Sequence, residues 1–139
     1  MGIITTVTYL EMNSYPEHLK LTKPGSLNAE IKLLDWPSVH FYRYLYNTIG
    51  EKGAVSEEVV RQMSEGARVK LKVDFAVAVS GIAGPDGGTP DKPVGTSWIA
   101  IAGPTRTITE KFVFGKVRER NIQKTIFAAL NLLLKEVED

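Results

Sequence analysis

Three features of this 139-residue chain predict a three-layer α/β/α sandwich with a mixed sheet. Extended segments alternate with helical ones along the chain. One strand, VDFAVAVS from Val73 to Ser80, sets Val73, Phe75, Val77 and Val79 against partners that are small or apolar too, as a strand covered on both faces requires. Two further strands, Trp98–Ala102 and Thr107–Phe114, are joined by Gly103-Pro104 and read as a hairpin. The length suits a single domain over residues 1–139 that buries about two-thirds of its unfolded surface.

The elements follow in order. Gly2–Leu10 is rich in β-branched residues and reads as the first strand. Glu11–Ser26 has no clear period and reads as loop, and Asn28–Leu34 fits a short helix or strand equally. Pro37 suits the first turn of a helix, and Phe41, Leu45 and Ile49 then recur every four positions. That helix carries four aromatics, Phe41, Tyr42, Tyr44 and Tyr46. Helical spacing spreads the rings around the cylinder, which favours core or subunit packing over a base-stacking platform.

Ser56 is placed to cap a second helix, with Glu57 and Glu58 in its first turn and Val59, Val60, Met63 and Ala67 as its buried stripe, ending near Lys70. In the Thr107–Phe114 strand, Ile108, Glu110, Phe112 and Phe114 alternate with Thr107, Thr109, Lys111 and Val113, the pattern of an edge strand. The last helix spans about Val117–Val137, with Ile122, Ile126, Ala129, Leu130, Leu133 and Val137 assigned to the face on the sheet. Phe127, Leu132 and Leu134 widen that stripe beyond one sheet contact, so a second subunit is expected to cover the excess.

Composition removes several classes of function. The chain carries 17 basic and 16 acidic residues, a net charge of +1, with no long run of either sign, so neither a nucleic-acid nor a membrane surface is indicated. Without cysteine there is no disulfide framework, no thiolate zinc site and no cysteine nucleophile. His18 and His40 stand alone, without a partner at metal-ligand spacing. No apolar stretch reaches the about 20 residues that span a bilayer, and the N-terminus lacks a signal-peptide pattern, so a cytoplasmic location is expected. No metal and no cofactor is expected either.

The densest signal lies between Ser80 and Thr96. Five of the 12 glycines and three of the 7 prolines fall there, in SGIAGPDGGTPDKPVGT, too many for a helix or strand to continue. A glycine-rich loop leaving the C-terminal end of a buried strand sits where open α/β sheets bind ligands, with backbone N–H groups available to an anion or a carbonyl oxygen. Its spacing matches neither the dinucleotide fingerprint nor a P-loop. On spacing alone, a ligand site and a simple chain reversal both fit.

The run GAVSEEVVRQMSEGA followed by DFAVAVSGIAGPDGGTPDKPVGTSWIAIA resembles the C-terminal domain of the competence/damage-inducible protein CinA, the family that includes the nicotinamide mononucleotide deamidases. The resemblance covers residues 53–136 and leaves residues 1–52 divergent. It implies the α/β/α fold of that family and an amidohydrolase that converts nicotinamide mononucleotide and water to nicotinate mononucleotide and ammonia. Since full-length members carry a separate N-terminal domain, the resemblance makes this chain a stand-alone form or a fragment; the missing serine motif just upstream of Met1 in the encoding DNA would identify the latter.

Amide hydrolysis needs a nucleophile, a base, oxyanion donors and a cation for the substrate phosphate. In the family the nucleophile is the serine of an A-E-S-C-T-G-G motif, and no serine of this chain has that neighbourhood. A tyrosine and a lysine in a Y-S-N-x-x-K stretch are echoed only imperfectly, by Tyr9 in Val7-Thr8-Tyr9 and by Lys32 after Ser26-Leu27-Asn28. The second half of the motif set is retained. By resemblance Ser80 lies beside the substrate, Gly81, Gly84, Asp86, Gly87, Gly88, Thr89 and Lys92 form the binding loop, and Arg118, in F-G-x-x-R-E-R, meets the phosphate.

Two functions follow. The chain is an amidohydrolase using Ser80, Arg118 and the loop, with Lys32 or Tyr9 replacing missing groups; or it is a non-catalytic nucleotide-binding or assembly module that keeps the fold and the glycine-rich loop. A nicotinamide mononucleotide-like nucleotide and a homo-oligomer are the partners expected. The absent serine motif favours reduced or lost turnover.

Overall fold

The computed structural model describes the backbone of residues 3–5 and the whole of residues 47–139. Its elements are β1 (Ile3–Thr5), α1 (Glu57–Leu71), β2 (Phe75–Gly81), β3 (Thr96–Ala102), β4 (Thr107–Val113) and α2 (Arg118–Glu138), with residues 47–52 helical ahead of α1. The sheet is ordered β1-β2-β3-β4. β1 runs parallel to β2, with Ile4 opposite Ala76, and the two remaining pairings are antiparallel, so the sheet is mixed as expected. β2 has neighbours on both edges and is buried from Ala76 to Gly81.

Period-two alternation divides the two central strands between layers. Val77, Val79, Ile99 and Ile101 point one way and pack against Ala129, Leu132 and Leu133 of α2. Ala78 and Ala100 point the other way and pack against Val60 of α1, with Met63 and Trp98 beside them. The helices therefore cover opposite faces, which is the three-layer sandwich. Each fully buried valine or isoleucine contributes about 1.5–3 kcal/mol to that arrangement. β4 is the edge strand, and its inward residues Ile108 and Phe112 are only half-buried.

α1 forms for the reasons read from its sequence. Ser56 caps it by accepting from Val59 N–H at 3.4 Å, Glu57 and Glu58 occupy the first turn, and Val59, Val60, Ser64 and Ala67 are buried. The helix ends at Lys72, which adopts a left-handed conformation. The aromatic helix expected to end at Ile49 runs on to residue 52, while its start, the 11–34 segment and the histidines lie outside the described residues.

α2 departs from the expected face. Its buried residues are Asn121, Thr125, Ala129, Leu132 and Leu133, whereas Ile126 and Leu130, assigned to the sheet, are exposed with Phe127 and Leu134. The cause is polar: Asn121 and Thr125 hold the sheet-facing positions of the first two turns because their side chains find internal partners, and this rotates the apolar pattern outward. The β3–β4 turn is closed by Gly103 N–H donating to Arg106 O at 2.8 Å, and the Arg106 guanidinium bridges to Glu136 at 2.7 Å and Asp139 at 3.2 Å, clasping the hairpin to the end of α2. Among the described residues no helix is long and apolar enough to cross a membrane.

Candidate functional site

The glycine-rich loop is shorter than its sequence signature, because the β2–β3 ladder keeps pairing through Gly81 and Ser97. Gly81 is thus a strand residue. Ile82 N–H donates to Thr96 O at 2.8 Å and Gly95 N–H to Ile82 O at 2.7 Å, which leaves residues 83–94 as the excursion. Gly95 has φ +92°, and a Cβ there would collide with the Gly115 carbonyl, so a glycine is required where the loop meets the chain entering α2.

The start of α2 holds the inner part of the loop. Asn121 is only 3% exposed; its Nδ2 donates to Ala83 O at 2.9 Å and Gly115 O at 3.0 Å, while its Oδ1 accepts from Gly115 N–H at 3.0 Å. Arg118 reaches the next residue of the loop, donating from Nη1 to Gly84 O at 3.1 Å. Sequence reasoning missed Asn121. A polar residue at a position that helical phase could have placed on the sheet was the available signal.

The outer part of the loop turns on itself. Thr89 N–H donates to Lys92 O at 2.9 Å and Lys92 N–H to Thr89 Oγ1 at 3.1 Å, a reciprocal closure that rigidifies residues 89–92. Beside it lies a cleft of about 450 Å³ lined by Pro85, Gly88, Thr89, Pro90, Pro93, Val94 and Lys116. That volume falls within the range of small-molecule sites. Three of its seven lining residues are prolines, Val94 is a further apolar one, and Lys116 is the one charged residue among them. Lys116 precedes α2, whose N-cap Val117 provides no side-chain bond to the first turn. The positive end of the helix dipole therefore lies beside the cleft, an environment suited to an anionic ligand.

The expected site residues are distributed unevenly around this cleft. Gly88 and Thr89 line it; Gly84 and Arg118, bonded to each other, and Asp86 and Gly87, on the loop, are not among the lining residues. Ser80 is fully buried, and its hydroxyl donates to Ala54 O at 2.7 Å, on the α1 side of the sheet. The Lys92 ammonium points away from the cleft wall to Lys52 O, 2.8 Å distant. Tyr9 and Lys32 lie outside the described residues. Among the described residues there is no cluster of three or more histidine, cysteine or carboxylate side chains that could hold a metal.

Comparison with known proteins bears on the family and the fold. The model of the CinA C-terminal domain matches residues 43–137, so the similarity begins ten residues before the Gly53 boundary expected from the motifs. A CinA-like protein of Cytophaga hutchinsonii is 45% identical over 91 residues, 66% of this chain and 22% of that protein. Nicotinamide-nucleotide amidohydrolase PncC of Pseudomonas putida is 50% identical over 86 residues, 62% of this chain and 54% of that protein. This chain thus spans about half of PncC and about a fifth of the CinA-like relative. Among solved structures, the competence/damage inducible protein CihA of Agrobacterium tumefaciens superposes with a TM-score of 0.64 at 33% identity, covering 68% of this chain and 61% of that one. The competence damage-inducible protein A (ComA) of Klebsiella pneumoniae gives 0.64 at 33% identity, covering 73% and 65%. With its family model matching more than half of its residues and its fold shared with these structures, the chain belongs to the CinA C-terminal domain family.

Proposed function

We propose that this chain binds a nicotinamide mononucleotide-like nucleotide in the loop cleft and hydrolyses its amide weakly or not at all. The observation that supports this reading is the contrast between the loop cleft and a Ser80 hydroxyl that is not available as a nucleophile. Thr89, the proline walls, Lys116 and the start of α2 form a cationic cleft of suitable size, whereas the Ser80 hydroxyl is buried and committed to a backbone carbonyl. Among the described residues the Ser80 hydroxyl is committed to Ala54 O, so Tyr9 and Lys32, which lie outside them, are the groups proposed to stand in for nucleophile and base.

The substrate class rests on the amidohydrolase relative in Pseudomonas putida. Arg118, half-buried at the first position of α2, is the residue assigned to the nucleotide phosphate, with Lys116 beside it. Ser80→Ala tests the division of labour. Loss of the hydroxyl leaves Ala54 O without its partner, so nucleotide binding weakens modestly while turnover stays near background. Robust ammonia release by the parent chain that Ser80→Ala abolishes would refute the reading.

We also propose that the exposed stripe of Ile126, Phe127, Leu130 and Leu134 on α2 packs against a second copy of the chain, since Phe127 is 69% exposed. Light scattering across the micromolar range should show a dimer or larger species that Phe127→Glu dissociates. A monomer throughout would refute the oligomer.

A further inference from the structure

Three successive carbonyls between the 47–52 helix and α1 accept side-chain hydrogen bonds from three different places. Lys52 O accepts from Lys92 Nζ at 2.8 Å, Gly53 O from Ser56 Oγ at 2.9 Å, and Ala54 O from Ser80 Oγ at 2.7 Å. The donors belong to the glycine-rich loop, to the cap of α1 and to the end of β2. The connector is built for this: Gly53 has φ +82° and its N–H closes the preceding helix on Ile49 O at 2.8 Å. A Cβ at residue 53 would stand 2.8 Å from the Lys92 ammonium, so even alanine would both strain the turn and press on the tether.

We propose that Lys92 is a positioning residue rather than a ligand of the nucleotide: it fixes the cleft wall to the connector at residues 52–54. Lys92 is not among the residues lining the cleft, and its ammonium sits at the carbonyl end of the 47–52 helix, where the dipole favours a cation. Its backbone is locked to Thr89 by the reciprocal bonds at 2.9 and 3.1 Å, so the anchored lysine carries Thr89 and the intervening Pro90, both cleft residues, with it. The connector continues directly into the N-terminal part of the chain.

The inference deepens the nucleotide-binding reading but has a readout that does not need a ligand. Hydrogen exchange of the ligand-free protein, followed at the Thr89 amide, should accelerate about tenfold in Lys92→Met and remain near the parent rate in Lys92→Arg, with β2 and β3 amides unchanged in both. Gly53→Ala should accelerate the same amide by displacing the Lys92 ammonium from Lys52 O while residue 92 stays a lysine. Calorimetry with nicotinamide mononucleotide should show the affinity of Lys92→Met reduced about five- to tenfold, with the salt dependence of binding unaltered, because no charge contact to phosphate is lost. Unchanged exchange in Lys92→Met overturns the proposal. Unchanged exchange together with lower affinity and a flattened salt dependence would make Lys92 a direct phosphate ligand instead. If the parent chain binds no nucleotide, the exchange arm still decides the tether, and only the ligand assignment fails.

Discussion

Replacing Asn121 by alanine removes three hydrogen bonds at once and leaves Ala83 O, Gly115 O and Gly115 N–H without the partners they now have. A buried backbone group left unpaired costs about 1–3 kcal/mol. Gly115 is half-exposed, so water can reach its two groups and their share falls toward the lower figure. Ala83 O lies under α2 and keeps the larger share. Alanine returns roughly half a kcal/mol through its better helix propensity. The net expectation is a loss of about 2–4 kcal/mol. Urea unfolding followed by circular dichroism should register it as a midpoint lowered by about 1–2 M at unchanged slope. Asn121→Asp keeps the acceptor for Gly115 N–H but turns the donor into a second acceptor facing two carbonyls, so it should lose at least as much. A loss below about 0.5 kcal/mol in either variant would refute the role given to this amide.

Ser97 is 3% exposed and its hydroxyl has no hydrogen-bond partner among the described residues, so Ser97→Ala should stabilise the fold by about 1 kcal/mol, raising the melting temperature by a few degrees; a lower melting temperature would show that the hydroxyl is satisfied. Glu57 is held below the ordinary carboxylate range, first by the hydrogen bond from Thr109 Oγ1 and then by Arg61, against the opposing effect of desolvation. A depressed carboxylate contributes stability that is present above its unfolded value and is lost as pH falls through the folded one. Thr109→Val should therefore raise the Glu57 titration midpoint seen by NMR and shrink the loss of stability on acidification, both by small amounts because the side chain is 43% exposed. An unmoved midpoint would show that Thr109 is not the main cause. Gly95→Ala should destabilise by more than about 2 kcal/mol in the same urea assay, since φ +92° and the Gly115 carbonyl both oppose a side chain; a neutral result would contradict the close approach.

Legibility in the sequence followed the physics of each element. β2 and α1 could be read because their signals are local: a strand with no polar face, and a helix opened by a capping serine and two glutamates. The face of α2 could not, because the residues that set its phase are Asn121 and Thr125, polar side chains satisfied by Ala83 O, Gly115 and Asn121 O, and hydropathy counts such residues as outward. The glycine-rich loop announced itself by composition, and Gly88 and Thr89 of that loop line the cleft beside it. Lys116 went unnoticed because nothing local distinguishes a lysine before a helix from a solvated one. The tasks of Ser80 and Lys92 were hidden for another reason: each bonds a carbonyl distant in sequence, at Ala54 and Lys52, and a backbone acceptor carries no residue type to recognise.

The most direct single measurement is calorimetric titration of nicotinamide mononucleotide into the purified chain, with ammonia assayed in the same cell contents afterwards. Saturable binding at one site per chain, weakened at least tenfold by Arg118→Ala and accompanied by no ammonia above the buffer blank, is the result the proposed reading predicts. Ammonia produced in proportion to enzyme and time would contradict it, and so would the absence of any binding heat at millimolar nucleotide.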